Sequence, residues 1–559
     1  MSTCEHEMSL PRLPVPPLRQ TINKYLLSVQ PLLNQREFQA TQNAAEKFLQ
    51  PGGIGKSLQK GLVRRSKQVE NWLKEWHDDE SYFRPDTPVI FNASPGIAFP
   101  KQTFSSNLDY LRYAATAVKA VLEFKSLIDY EGLQTDISRS RPTAMDQYGK
   151  ILSSCRVPHP RKDYLVTSRG MNSRHIIVMC NEQAFEIDAY RKGEIISVSE
   201  ILKQLREVVA MKEAEAKPHC IGALTTTCRR LWGQTFNKLQ QDPVNRKSLE
   251  RIIQSVFVLC LDKPNRIVQR EISEGEDIVR SVSINQMLHG CGTENNSCNR
   301  WFDKVFQLII SEDGHVGCCY EHSAAEAPPV QRLCDYIIKK CAVQNASDLV
   351  QAMQAPHQKS AIQLQWRLSD EMKEKIAFAK QSLDRLVADA DMQFIRYNGF
   401  GKNIPKANKL SPDACIQLGL QLAFFRLHGH IPPTYETAST KWFRLGRTET
   451  IRTASIASKA FCESMAVPNL PVHEKRNLFV KAAKDHTKYT LEAMSGQGVD
   501  RHLLGLKCLC IEEGYRLPEL FLDKGYQYSM YHELATSQVP SQFDCVTCYG
   551  PSVPDGYGV

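Results

Sequence analysis

Residues 305–322 read VFQLIISEDGHVGCCYEH, and this stretch predicts two buried strands joined by a tight turn. Residues 305–310 form an apolar run, Asp313-Gly314 is a tight-turn signal, and residues 316–320 form the returning strand. His322 therefore follows directly after the end of a buried strand, where a rigid scaffold often holds functional groups. On spacing alone, however, a histidine followed four residues later by a carboxylate is more often structural than catalytic.

Strands and helices alternate on both sides of this hairpin. Residues 176–179 and 185–188 predict a second hairpin. A helix is expected to begin near Ser369, because apolar residues recur after it at helical spacing: Met372, Ile376, Leu383 and Leu386. The same spacing predicts an amphipathic helix near the start of the chain, with Leu58, Leu62, Val69, Leu73 and Trp76 on its buried face. The pattern indicates an α/β fold.

Composition narrows the classes of function. The 559 residues are enough for two or more domains, and 42% of them are hydrophobic and 23% charged. The net charge is +9, but the sequence has no block of like charges, which disfavours a nucleic-acid partner. The positive charge can still attract a small polyanion such as a nucleotide phosphate. No apolar run approaches the roughly 20 residues of a membrane-spanning helix.

The cysteines and the first residues bear on the cellular compartment. The 18 cysteines follow no regular framework, and Cys545-x-x-Cys548 lacks a second ligand pair, so reduced thiols are expected. Residues 1–18 have neither the apolar core of a secretory signal nor the basic helix of a mitochondrial transit peptide. No targeting signal is therefore predicted, and a cytoplasmic location remains open.

Three further groups of polar residues stand out downstream. Lys402, Lys406 and Lys409 precede Ser411-Pro412, a predicted helix start, and they form either a phosphate site or a solvated basic loop. The second group, Tyr435, Thr448 and Arg501, would together suit a carboxylate, but spacing alone does not bring them together. In the third, Ser537 can donate a hydrogen bond to an oxyanion or belong to an ordinary polar loop.

Taken together and in order, several motifs resemble the carnitine/choline acyltransferase family from Leu10 to the end of the chain. They are residues 10–18 (LPRLPVPPL), 153–158 (SSCRVP), 299–304 (NRWFDK), 320–326 (YEHSAAE), 446–452 (GRTETIR), 500–506 (DRHLLGL) and 554–558 (PDGYG). The resemblance implies two similarly folded α/β domains, each a mixed sheet with helices, with an active-site tunnel between them. We expect the first domain at residues 67–367 and a discontinuous second domain at residues 10–66 and 368–559.

The resemblance also implies a reaction. His322 would act in the tunnel as general base for reversible transfer of a short acyl group, such as acetyl, between coenzyme A and carnitine. Attack would be direct, without an acyl-enzyme, and Ser537 would donate to the tetrahedral oxyanion. Coenzyme A would be a co-substrate rather than a bound cofactor, and no catalytic metal is expected. A monomer in mitochondria or peroxisomes, with a role in fatty acid metabolism, would fit the family.

Matching positions give the binding residues that the resemblance implies. Arg501, Tyr435, Thr448 and Thr437 match the residues that contact carnitine, and Tyr549 offers an aromatic face to its trimethylammonium group. The arginine favours carnitine over choline, which has no carboxylate. For coenzyme A, the matching residues are Lys402, Lys406, Asp413 and Gln538.

The chain departs from the family pattern at several positions. Thr547 stands where acetyl-type members have a bulky methionine, so we expect acyl groups longer than acetyl to be admitted. Thr487 replaces one basic coenzyme A contact, Ala535 replaces a serine, and Ala327 replaces a glycine. The family continues beyond residues 554–558 through another strand and helix, whereas this sequence ends at Val559. A truncated second domain is therefore expected, and the alternative function is an impaired member that retains coenzyme A or partner binding.

Overall fold

The computed structural model describes residues 3–168, 173–212, 219–265, 275–343 and 361–559. The helices within these ranges are α1 (Thr3–Ser9), α2 (Leu18–Val29), α3 (Gln35–Leu49), α4 (Ile54–Gln68), α5 (Lys74–Asp78), α6 (Val89–Asn92), α7 (Asn107–Asp129), α8 (Tyr148–Ile151), α9 (Val198–Lys212), α10 (Arg229–Leu239), α11 (Pro243–Gln254), α12 (Gly275–Leu288), α13 (Ala327–Ala342), α14 (Asp370–Ala388), α15 (Asn403–Ala407), α16 (Pro412–His428), α17 (Ile456–Ala466), α18 (Val472–Met494), α19 (Asp500–Glu512), α20 (Glu519–Leu522) and α21 (Lys524–Ser529).

The strands in the same ranges are β1 (Gly96–Ala98), β2 (Ile137–Ser138), β3 (Arg141–Pro142), β4 (Ser154–Val157), β5 (Tyr164–Thr167), β6 (His175–Cys180), β7 (Gln183–Asp188), β8 (Tyr190–Arg191), β9 (Glu194–Ile195), β10 (Val258–Asp262), β11 (Phe306–Ser311), β12 (Val316–Tyr320), β13 (Ile362–Gln363), β14 (Thr434–Ser439), β15 (Thr448–Ile451), β16 (Leu534–Thr536), β17 (Val546–Cys548) and β18 (Tyr557–Gly558). Short 3-10 segments occupy Gln30–Leu32 and Ile221–Thr226, and one π-helical turn occupies Asp79–Phe83.

The larger sheet has eight strands in the order β13-β7-β6-β10-β11-β12-β1-β17. Both predicted hairpins are confirmed, since β6 pairs antiparallel with β7, and β11 with β12. The central strand β10 runs parallel to both β6 and β11, so the sheet is mixed. Helices α7, α9 and α13 bury one face, and α10, α11, α12 and α14 bury the other. The predicted α/β class is confirmed.

A second, four-stranded sheet has the order β15-β14-β16-β18 and is also mixed. Helices α16, α17 and α18 enclose a core beside it. Helices α2, α3 and α4 pack with α19, α20 and α21, so the beginning of the chain shares a core with residues near its end. Strand β17 likewise returns from the end of the chain to pair with β1 in the larger sheet.

The helix expected near Ser369 is α14, and the Ser369 hydroxyl accepts from the Met372 backbone N–H at its first turn. Its buried side chains, Met372, Ile376 and Leu383, contact the core of the larger sheet. The division of the chain at residues 367/368 stays a prediction, and the helix that follows it packs against the first sheet.

The prediction of a single amphipathic helix around residues 58–76 is wrong in one respect, because the structure has two helices there. Helix α4 ends at Gln68, and the extended backbone of Val69, with φ −116° and ψ 159°, separates it from α5. The apolar residues of both helices still enter one core, because burial and not continuity of the helix dictates their spacing. Among the helices described, none is long and apolar enough to span a membrane.

Candidate active site

His322 lies in a short loop between β12 and α13, at the end of the sheet where β11 begins. Its backbone N–H donates to the Ala93 carbonyl over 2.9 Å. The ring stacks on Tyr82, with centroids 5.6 Å apart and an interplanar angle of 23°, and its Nδ1 lies 3.4 Å from the Tyr82 hydroxyl. The imidazole is half-buried, so a reactant can reach a ring that the protein already orients.

A buried network of charges fixes the backbone beside His322. Arg156 on β4 donates from Nη1 to Glu321 over 2.9 Å and from Nε to Asp163 over 2.7 Å. Arg229 donates to the same Asp163 carboxylate over 2.6 Å. The other Glu321 oxygen accepts from the Ser323 N–H over 3.2 Å and from its hydroxyl. Because both oxygens of Glu321 are engaged, the residues flanking His322 are held on two sides.

Arg447 joins this loop to other parts of the chain. Its guanidinium donates to Glu326 over 2.8 Å, to the Ser323 carbonyl over 2.7 Å and to the His322 carbonyl over 2.8 Å. It also contacts Asp78 over 3.1 Å. One buried side chain therefore fixes the position of the loop that carries His322 relative to helix α5 and the start of β15.

Glu326 is the carboxylate that faces the imidazole, with Oε2 3.6 Å from His322 Nε2. Burial alone raises the pKa of Glu326, but Arg447 and His322 outweigh that effect and bring its pKa down to about 2. Glu326 is thus an anion at neutral pH, and it can stabilise a positive charge that develops on His322.

Arg501 and Thr448 are in direct contact, and Tyr435 lies on β14, the strand that pairs with β15. Arg501 in the first turn of α19 donates from Nε to the Thr448 carbonyl over 3.1 Å, and its Nη2 lies 3.4 Å from the Thr448 hydroxyl. Burial raises the pKa of Tyr82, the tyrosine that stacks on His322.

Alternation along β14 explains which of its side chains share this region. Tyr435 and Thr437 point to one face, where the Thr437 hydroxyl lies 3.4 Å from the Tyr435 hydroxyl, while Glu436 points to the other. Strand β16 runs parallel to β14 with Ala535 opposite Tyr435. This register leads the chain to the exposed Ser537 just beyond the strand end, beside Thr437. Sheet register thus brings together residues about 100 positions apart.

Tyr549 and Gln538 lie near the same strand. The Tyr549 hydroxyl donates to the Ala535 carbonyl over 2.9 Å, which holds the ring against the end of β16. Burial raises the pKa of Tyr549. Ala535, whose carbonyl accepts from Tyr549, lies opposite Tyr435 in the sheet. Gln538 is exposed, next to Ser537.

The basic residues before α16 lie on the surface. Both lysines are exposed: Lys402 immediately precedes the short helix α15, and Lys406 lies in its last turn. The predicted start of α16 is confirmed, with Ser411 as N-cap and Pro412 in the first turn. Asp413 is turned inward instead. Burial and the nearby Glu436 carboxylate raise its pKa to about 6.

Thr547 is half-buried at the middle of β17, directly opposite Ile97 of β1. Ile97 in turn pairs with Cys318 of β12, four residues before His322 in the sequence. A side chain at position 547 therefore contributes to the sheet surface that leads towards the histidine.

Sequence reasoning missed three side chains that complete the site: Tyr82, Arg156 and Asp78. Tyr82 belongs to the π-helical turn Asp79–Phe83, and such turns often occur at functional sites. Arg156 lies in the motif SSCRVP, so that motif drew attention to it without showing its role. No local pattern indicates that Asp78 contacts a residue more than 360 positions away.

Comparison with known proteins gives a consistent result. The family model "Choline/Carnitine o-acyltransferase" matches residues 13–559. The chain is 43% identical to carnitine O-acetyltransferase of Columba livia and 42% identical to that of Homo sapiens, in each case over 99% of this chain and 87% of the relative. It is 36% identical to choline O-acetyltransferase of Danio rerio, over 98% of this chain and 86% of the relative.

Proposed function

Because the chain belongs to the choline/carnitine O-acyltransferase family and is an acyltransferase, we propose that it moves a short acyl group reversibly between coenzyme A and carnitine. The observation that carries the proposal is the half-buried imidazole of His322, which lies between the Glu326 carboxylate and Tyr82. Arg501 contacts Thr448 on β15, which pairs with the strand that carries Tyr435, and these groups can receive an acceptor that carries a carboxylate.

The chemistry requires one proton to be removed and later returned. His322 takes the proton of the carnitine hydroxyl while that oxygen attacks the thioester carbonyl, and then protonates the departing thiolate. In the reverse direction it takes the thiol proton. The transient imidazolium is stabilised by Glu326, which stays ionised because Arg447 holds it. Attack is direct, so no acyl-enzyme forms.

Negative charge develops on the carbonyl oxygen during attack. Ser537, beyond the end of β16, supplies a hydroxyl donor for this oxyanion. Removing one such donor typically costs about 10²–10³-fold in kcat. A Ser537→Ala variant should therefore lose kcat to that extent, with little change in the KM for either substrate.

The choice of carnitine as the acceptor rests on the charge of its carboxylate. The Arg501 guanidinium pairs with the carnitine carboxylate, while Thr448, Tyr435 and Thr437 contribute hydroxyl groups to it. Tyr549 presents a ring to the trimethylammonium group. Choline lacks the carboxylate and would bring its ammonium towards an uncompensated arginine.

Coenzyme A is expected on the side of the exposed Lys402 and Lys406. Two mobile ammonium groups suit the 3′-phosphate of its adenosine, with Asp413 and Gln538 as further contacts. Replacing both lysines with glutamine should raise the KM for acetyl-CoA. The same change should hardly affect 3′-dephospho-CoA thioesters, since these lack the phosphate.

The decisive test is turnover of acetyl-CoA with L-carnitine by the 559-residue chain, followed as release of free thiol. We expect His322→Ala to lose about 10²–10⁴-fold, the usual contribution of a positioned base. A rate no higher than that of His322→Ala would support the impaired member that only binds. Activity with choline equal to that with carnitine would contradict the acceptor.

A further inference from the structure

Three segments bring two thiols and a carboxylate together at one end of the larger sheet. The Sγ atoms of Cys220 and Cys298 and a carboxylate oxygen of Glu182 all lie within 4.8 Å of one another. Cys298 is fully buried, Cys220 is 6% exposed and Glu182 is partly exposed. None of these residues takes part in the acyl transfer proposed above.

The backbone at this cluster is held in unusual conformations. Glu182 occupies the tight β6–β7 turn with φ 64°, and its N–H donates to the Asn299 side chain over 3.2 Å. Cys220 has φ 50°, a left-handed conformation that residues with a side chain seldom adopt. A Cβ at Gly222 would lie 2.1 Å from the Arg300 carbonyl oxygen, so this segment packs directly on the one that carries Cys298.

The segment that carries Cys298 is fixed by buried hydrogen bonds. Arg300 donates to both oxygens of Asp262, over 2.7 and 2.6 Å, and Asn299 donates to the same carboxylate over 3.0 Å. Helix α14 is joined to this loop because Asp384 accepts from the N–H of Thr293 over 2.8 Å and from its hydroxyl over 2.6 Å. The cluster is therefore preorganised by its surroundings.

We propose that Cys220, Cys298 and Glu182 bind one divalent cation of the zinc class. Two thiolates and a carboxylate are ligands that Zn²⁺ accepts, at about 2.3 Å for sulfur and 2.0–2.2 Å for oxygen. Ligand atoms around such a centre are about 3.5–4 Å apart, which falls inside the observed spacing. Three protein ligands leave a fourth position for water.

A hydrogen bond links two members of the cluster, since the Cys220 thiol donates to Glu182 Oε2. Zinc binds cysteine as the thiolate, so binding replaces the thiol protons: one Zn²⁺ enters, two sulfur–metal bonds form and two protons leave.

Lys380 balances the charge of the occupied site. Its ammonium lies 3.8 Å from Cys220 Sγ, on the face of α14 that packs here. Two thiolates and a carboxylate exceed a divalent ion by one negative charge, which the lysine cancels. A donor directed at a ligating sulfur is also a common element of the surroundings of a metal site.

The cluster is remote from the reacting groups. Cys180, just before the turn that carries Glu182, pairs with Leu261 at the end of β10. His322 lies at the other end of the sheet, where Phe306 of β11 opposes Tyr320. A strand of this length spans about 16 Å, so the ion would clamp three segments together and take no part in acyl transfer.

The test uses the full chain, reduced and dialysed against a chelator, then titrated with Co²⁺ as a spectroscopic probe. We expect one Co²⁺ per chain, a thiolate-to-metal charge-transfer band, displacement by Zn²⁺ and release of two protons. Glu182→Gln in the partly exposed turn should fold and weaken binding about tenfold or more. Cys298→Ser removes one of the two thiolates and should lower the band by half or more, whereas Cys462→Ser, at a buried cysteine on α17, should leave it unchanged.

Three results would overturn the inference. Binding without the charge-transfer band would place Co²⁺ elsewhere. So would a band that Cys298→Ser and Glu182→Gln leave unchanged. Failure of the reduced chain to bind Co²⁺ would show that the cluster is an ordinary set of hydrogen-bonded thiols. Because every readout is independent of turnover, these results are distinct from failure of the proposed acyl transfer.

Discussion

Arg501 is the residue whose replacement tests the proposed acceptor most directly, and Arg501→Gln is the informative change. The arginine is held by two donor contacts with Thr448 and by its own N–H, which donates to Glu449 over 3.2 Å. Glutamine keeps an amide that can still reach Thr448, but it has no charge to offer a carboxylate. The variant therefore removes the ion pair while altering the surrounding structure little.

The expected size of the loss follows from the distance between charges. A carboxylate about 4 Å from the guanidinium gains about 4 kcal/mol at an effective dielectric constant of 20. Part of that gain is lost again because both groups give up water. A net effect of about 2–4 kcal/mol corresponds to a loss of about 30- to 1,000-fold in kcat/KM for carnitine.

The fold should tolerate the change because a neighbouring group can compensate. Burial raises the pKa of Glu449 to about 7, although Arg501 lowers it. Without the arginine this pKa rises further, and Glu449 takes up a proton. No unpaired charge is then left buried, so the thermal midpoint should stay within a few degrees of the parent chain.

The assay is release of free thiol from acetyl-CoA, with L-carnitine and choline varied separately. We expect kcat/KM to fall for carnitine, but not for choline, and the KM for acetyl-CoA to stay unchanged. Arg516→Gln, on the exposed surface after α19, is the matched control and should behave as the parent chain. Equal losses for both acceptors, or a loss below tenfold for carnitine, would refute the assignment of Arg501.

Three further changes have defined outcomes. Arg447→Lys keeps the charge but loses the guanidinium that joins Glu326, Ser323 and Asp78. The loop that carries His322 is then held less firmly, and kcat should fall about 10²-fold. An unchanged kcat would contradict this role of Arg447. Thr547→Met should lower the rates with butyryl- and octanoyl-CoA by about 10-fold or more relative to acetyl-CoA, and unaltered ratios would argue against an acyl pocket there. In the folded chain the pKa of Glu449 is about 7, above its ordinary value of 4.5. Its contribution to the free energy of unfolding is therefore fully present below pH 4.5 and is lost as the pH rises through 7. Glu449→Gln should therefore flatten the fall in thermal midpoint between pH 5 and 8, and parallel curves would exclude this.

Local sequence signals predicted the local structure well. The turn residues Asp313-Gly314 and the cap residues Ser369 and Ser411 act within a few positions of themselves, so each can be recognised without knowledge of the fold. The break at Val69 was not visible, because the apolar spacing on either side remains compatible with one helix. Spacing predicts which face is buried more securely than where a helix ends.

The site itself could be predicted only in part. Resemblance to a family predicts His322 and Arg501 as site residues, but no local pattern shows that β17 pairs with β1 across about 450 residues. The inward direction of Asp413 depends on Glu436 and His486, which reach it from other elements. Such contacts are set by sheet register and helix packing over the whole chain, and these are not encoded in any short window.

The motifs that carry the family resemblance have a physical explanation in the buried charges beneath the site. Arg156 in one motif reaches Glu321 in another, and Lys304 in a third donates to three backbone carbonyls, including that of Ser255 over 2.6 Å. Buried ion pairs seldom stabilise a fold more than apolar packing would, but removal of one partner leaves a charge without compensation. Their contribution here is geometric. A base that must both accept and return a proton needs a fixed position. Directional hydrogen bonds from buried charges can hold the ends of β4 and β12 in one arrangement, where apolar side chains would permit several.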